Sequence, residues 1–145
     1  MSGVEIVEEH HITRYCKPRF IDGGLPIADA FQLRDKEKYL SVNWLEYFGK
    51  IELDQAVDCV RQVFRNKGYK IRVGGRFASF QIRKVKEAIS RHTRLSAAVV
   101  HIPSKNDPSH CGIFGYTGQY SLDRLIALEI AKLTHADDIY PGKLP

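Results

Sequence analysis

The chain has 145 residues, 43% hydrophobic and 27% charged, with a formal net charge of +5. Those values are globular: they fit one domain that buries about two thirds of its unfolded surface, and they exclude wholesale disorder. No apolar run approaches the roughly 18 residues of a membrane span, and the acidic start Val4-Glu5-Ile6-Val7-Glu8-Glu9 lacks the apolar core of a secretory signal.

In chain order, residues 4–12 are expected to form a first strand. Pro18, Gly23, Gly24 and Pro26 punctuate residues 13–29, which read as irregular, and a short strand is expected at 30–34. In Tyr39–Leu45 the period of two puts Leu40, Val42 and Trp44 on one face and Ser41 and Asn43 on the other, the mark of a half-buried strand. Leu53, Ala56, Val57, Val60, Val63 and Phe64 recur at steps of three and four, so an amphipathic helix follows. Gly68 stands where its C-terminal cap belongs, with Arg65 and Lys67 in the last turn.

Tyr69, Ile71 and Val73 alternate with Lys70 and Arg72, which suggests a strand with a basic outer face. Gly74-Gly75 then turns the chain into a partner strand at 77–81. Ile82, Val85 and Ile89 mark a second helix. Residues 95–102 and 111–116 read as buried strands that pair as a hairpin. Ser121 is the expected N-cap of a last helix whose apolar side is Leu122, Leu125, Ile126, Ile130 and Leu133. This order favours a single α+β domain over residues 1–135, a mainly antiparallel sheet packed on one face by about three helices, with 136–145 as a loosely ordered tail.

Three cysteines (Cys16, Cys59 and Cys111) without CxxC spacing read as free thiols in a reducing compartment, so a cytoplasmic protein is expected, with no membrane contact. Charge is distributed unevenly. Residues 61–94 hold eleven basic side chains and a single acid, Glu87, a local net of +10 against −5 for the rest of the chain. Arg61, Arg65, Lys70, Arg72, Arg76, Arg83, Lys84 and Lys86, joined by Lys105 from the loop at 103–109, are therefore the candidate contacts to nucleic acid or another polyanion. Phosphate contacts supply most non-specific nucleic-acid affinity. No RNP1, KH or zinc-finger signature accompanies them, and an acidic protein partner would meet the same charges.

His101 and His110 bracket that polar loop. Facing each other across the base of a hairpin, two imidazoles would serve as acid and base for metal-independent phosphodiester cleavage, with Lys105, Lys84 or Arg34 beside the phosphate. The plainer reading is two polar residues at strand ends. His10, His11 and Cys16, with His110 and Cys111, supply enough nitrogen and sulfur for zinc but lack paired ligand spacing, and neighbours on a strand point to opposite faces. No metal and no cofactor is expected. Walker, GxSxG, HExxH and EF-hand patterns are missing from the sequence. Trp44, Tyr39 and Tyr47 have the rings to stack on bases, although alternation assigns Trp44 to the core.

Overall fold

A computed structural model describes residues 3–91, 93 and 96–144. The elements follow as β1 (Val4–Glu5), β2 (His11–Cys16), β3 (Ile21–Asp22), β4 (Leu25–Pro26), β5 (Leu40–Trp44), α1 (Leu53–Asn66), β6 (Arg76–Gln81), α2 (Ile82–Ser90), β7 (Ala98–His101), β8 (His110–Phe114), α3 (Tyr120–Lys132) and β9 (Ile139–Pro141). Seven strands form one sheet in the order β1-β7-β8-β5-β2-β6-β9, with every neighbouring pair antiparallel. Strands β3 and β4 make a separate small hairpin through Gly23-Gly24, whose φ angles of 59° and 82° suit a tight turn only glycine adopts freely. The chain is a single-domain α+β fold.

Alternation along the strands decides what covers each face. Ile12, Val42, Phe80, Cys111 and Ile113 point one way and pack with Ile82, Val85 and Ile89 of α2 and Ile126 and Ile130 of α3. Phe77 points the other way, where Leu45 joins it against Ala56, Val57 and Val60 of α1. The three helices are thus divided, two on one face and α1 on the other. Helix α1 starts with a capping box between Glu52 and Gln55. It ends in a Schellman turn: Gly68, at φ 76°, donates to the Arg65 carbonyl at 3.0 Å, and Tyr69 donates to the Phe64 carbonyl at 2.9 Å.

That turn explains why 69–73 is not the strand its alternation suggests. The chain folds back at once, and Tyr69 packs on Phe64 and Tyr15 with ring centroids 5.1 and 5.8 Å apart, so no sheet partner is reached. Other boundaries shift for similar reasons. The strand expected over 4–12 breaks into β1 and β2, and β2 runs on to Cys16 because each of its six residues finds a partner in β6. Residues 28–31 form a 3-10 turn instead of a strand, which lets Ala28, Ala30 and Phe31 all reach the core. Ser121 lies inside the first turn of α3. Asp123, in the same turn, instead holds the chain that leads into the helix by accepting from Thr117 N at 2.7 Å and Gly118 N at 3.0 Å.

The C-terminal segment, expected as a loose tail, contributes β9 to the sheet edge beside β6. Arg61, 95% buried, holds it there by donating from Nη2 to the Pro141 carbonyl at 2.6 Å and from Nε to Pro141 and Gly142 at 3.0 and 3.3 Å. Charged-donor bonds of this kind are among the stronger ones. Replacing Arg61 by alanine is expected to cost about 2 kcal/mol, since two carbonyls lose a charged donor. Urea denaturation checks the loss, and faster amide exchange confined to 139–142 checks its location.

Candidate anion-binding recess

Helix α1 covers only the β6 side of its face. Over β2, β5 and β8 the helix does not reach, and the residues of this face that line the space there are Thr13, Ser41, Asn43 and His110, all polar. Strands β2 and β5 pair only at Ile12–Trp44 and Thr13–Asn43; past that point they part. Arg14 fills the crevice. Its Nε donates to the Ala30 carbonyl at 2.6 Å and its Nη1 to the Ser41 carbonyl at 2.7 Å, while burial draws its pKa below the ordinary guanidinium value.

The result is a recess of about 300 Å³, the size of a small-ligand site. Its walls carry five cations, Arg14, Lys17, Arg19, Arg34 and Lys67, and two acids, Asp29 and Asp107. Both acids are already engaged, Asp29 by Arg124 at 2.8 Å and Asp107 by Lys67 at 2.8 Å. Among the described residues, Arg14, Lys17, Arg19 and Arg34 have no carboxylate within ion-pair distance. With five cations against two acids, the recess keeps a formal charge of +3. Phe20, Tyr15, Phe64 and Tyr69 supply aromatic surface on its rim. Gln32 lines it too, and its Oε1 is buried without a hydrogen-bond partner.

The floor is rigid. Asn43 Nδ2 donates to Asp107 Oδ1 at 2.8 Å and Ser109 Oγ at 2.9 Å, and Asp107 and Ser109 are both almost wholly buried. Ser104 and Asp107 exchange main-chain bonds at 3.1 and 3.2 Å, which closes the tip of the 103–109 loop. A short polar loop is in this way locked onto the sheet by one carboxylate.

The two histidines that bracket this loop do not face each other. The hairpin register pairs His101 with Cys111, so His101 lies on the α2–α3 face, against Trp44 and Tyr47 at 5.2 and 5.7 Å. Its Nε2 donates to the Pro108 carbonyl at 2.7 Å. His110 pairs with Asn43 and lies in the recess on the opposite face. One residue of register separates the arrangement expected from the one found. Lys105 is exposed at the loop tip and does not line the recess.

The basic segment is likewise dispersed. Arg61 is internal. Arg83 meets Glu8 and Glu9, Lys86 meets Glu5 and Glu8, and Arg91 meets Glu129, so acids from the N-terminus and α3 offset much of its charge. Glu8 accordingly ionises below its usual range, chiefly through its bond from Lys86. Arg65 lies beside the C-terminal segment, Arg76 beside the β3–β4 hairpin, and Lys84 in a hollow with His11 and His135. Among the described residues of the segment, Lys67 lines the recess itself, and Lys70 and Arg72 adjoin it in a neighbouring groove that shares Tyr15, Lys17, Arg19 and Tyr69 with it. Sequence reasoning missed Arg14, Lys17 and Arg19, since single cations scattered over an irregular stretch make no cluster signal.

His10 and His11 are accounted for by local partners. His10 Nδ1 accepts from Trp44 Nε1 at 3.0 Å, and His11 Nδ1 bonds Glu46 at 2.6 Å. Neither a family model, nor a curated protein, nor a solved structure matches the chain.

The cysteines offer a test of this packing. Burial pushes the thiols of Cys16 and Cys111 up to about 12, whereas Cys59 on α1 is half-buried. A thiol whose pKa is raised stays protonated at pH 8, and the protonated form is a poor nucleophile. Iodoacetamide at pH 8 is expected to label Cys59 alone in the native protein and all three cysteines in guanidinium, as read by peptide mass.

Proposed function

We propose that this protein binds a phosphate-bearing ligand of the nucleotide class in the recess between α1 and the 17–34 connection. The observation that carries the reading is the charge count of the recess: four cations without acid partners around a cavity floored by fixed polar groups. Burying an uncompensated cation is unfavourable, so an anion entering beside Arg14 gains more than it would at a solvated lysine. The aromatic rim suits a base or sugar, and the adjoining groove with Lys70 and Arg72 gives a second phosphate a place to lie. The ligand would therefore be a nucleotide, or one nucleotide of a nucleic-acid strand, and the setting is the cytoplasm suggested by the cysteines.

This reading keeps the phosphate ligand expected from charge and moves its site. An acidic protein partner is met best by a broad exposed patch, and the ion pairs from Glu5, Glu8 and Glu9 interrupt the one the basic segment would have made. Titration of AMP, a single-stranded RNA 12-mer and a DNA duplex of equal length, followed by calorimetry, separates the sources. A free nucleotide ligand predicts saturable binding of AMP alone; a strand ligand predicts tighter binding of RNA with a steep salt dependence. Lys17→Glu with Arg19→Glu is expected to weaken whichever binds by about tenfold and to lower the strand's salt slope by about 2. Unchanged affinity in this folded double variant, or no binding of any of the three, refutes the proposal.

A further inference from the structure

His110 is more than a lining residue. Its Nδ1 lies 2.9 Å from the Ile102 carbonyl, which only accepts, so Nδ1 carries the proton and the lone pair sits on Nε2. That lone pair faces Ser41 Oγ at 3.3 Å. The ring is held in this pose from both sides. Ile102 also donates its own N–H to the His110 carbonyl at 2.9 Å, and Tyr39 packs edge-on to the imidazole at 6.0 Å. Tyr39 can sit there because Gly112 has no side chain; a Cβ at that position would fall 2.5 Å from the tyrosine ring. A hydroxyl, a base and a group that orients the base are the three parts of an activated nucleophile.

The pair is also placed where it would be useful. Ser41 and His110 come from adjacent strands and both line the cationic recess, only half-buried. Arg14 donates to the main-chain carbonyl of Ser41 at 2.7 Å and lines the same recess, so its guanidinium is held at the residue that carries the hydroxyl. Arg34 lines the same recess. Charge that develops on a phosphoryl group attacked by Ser41 would meet donors already in position, the usual source of the largest catalytic gains.

We propose that Ser41 is a nucleophile, with His110 as its general base, for hydrolysis of a phosphodiester held in the recess; this rests on the phosphate-binding reading above. Ser41 Oγ attacks phosphorus and its proton passes to His110 Nε2. The bond from phosphorus to the leaving oxygen breaks, and that oxygen takes the proton from Nε2. Water then attacks the phosphoserine and gives a proton to Nε2, the Oγ–P bond breaks, and Ser41 recovers its proton. The net change is a diester and water to a monoester and an alcohol. His101, on the other face of the sheet, takes no part.

Two measurements on the full chain test the proposal. A fluorophosphonate probe, which reacts with activated serines, is expected to add once, at Ser41 by peptide mass. His110→Ala should abolish the adduct and His101→Gln should retain it. Bis(p-nitrophenyl) phosphate is expected to release nitrophenolate, with Ser41→Ala and His110→Gln each slower by about 10²- to 10⁴-fold, the usual share of such groups. Ser41→Ala removes one half-buried hydroxyl and leaves the main-chain carbonyl that Arg14 binds, so it should fold. Wild-type protein that binds its phosphate ligand yet neither accepts the probe nor releases nitrophenolate overturns the nucleophile and leaves the binding reading intact. Turnover by Ser41→Ala at the wild-type rate overturns it as well. Protein that binds no phosphate ligand and shows neither reaction overturns both.

Discussion

The structure depends on a mismatch of dimensions: one helix is asked to cover a face of seven strands. Seven strands spaced about 4.8 Å apart span about 29 Å, and a helix with its side chains is about 10 Å wide. On the face where α2 and α3 lie together, the sheet can present Ile12, Val42, Cys111 and Ile113 without penalty. On the face with α1 alone, Leu45 and Phe77 lie under the helix and the strands beyond them do not. The uncovered strands must therefore be polar, and Thr13, Ser41, Asn43 and His110 are. The recess follows from this shortage of cover, since the 17–34 connection arches over the gap without filling it.

Polar residues on a half-covered sheet are costly unless each finds a partner, and the loop at 103–109 supplies several of them. Asp107 accepts from Asn43 on the sheet and from Lys67 at the end of α1. Sheet, loop and helix meet at that carboxylate. Removing Lys67 would leave a buried charge with one amide partner, so Lys67 belongs to the scaffold of the recess more than to its ligand contacts. The same division explains why only some of the recess cations are available. Lys67 is spoken for, whereas Arg14 makes bonds to carbonyls that satisfy its geometry and not its charge.

The parts of this arrangement governed by short-range periodicity were legible in the sequence. Strand β5, helix α1 with its Gly68 cap, helix α2 and the β7–β8 hairpin all follow from alternation or helical spacing over a few residues. The polar side of β5, Ser41 and Asn43, was visible in the same alternation, and with hindsight it marks the floor of the recess. What failed was inference from closeness in sequence to closeness in space. Residues 61–94 are dense in charge along the chain, but a helix, a turn, a strand and a second helix carry those charges to different sides of the molecule. The recess cations come from Arg14, Lys17, Arg19, Arg34 and Lys67, which no window of the sequence would group.

The histidines show the same limit at its smallest scale. Eight residues separate His101 from His110, and both stand at the ends of apolar strands, so composition treats them alike. Register does not. Because β7 and β8 pair His101 with Cys111, the two rings take opposite faces, and each then acquires a different set of neighbours. His101 gives its Nε2 proton to a loop carbonyl and is enclosed by Trp44 and Tyr47, which makes it a brace for the hairpin. His110 gives its Nδ1 proton to a strand carbonyl and keeps Nε2 toward Ser41 and the recess. Identical side chains are thus given different free nitrogens by which one the backbone engages. The nitrogen left over on His110 points at a hydroxyl set among unpaired cations, and that is where an anion would arrive.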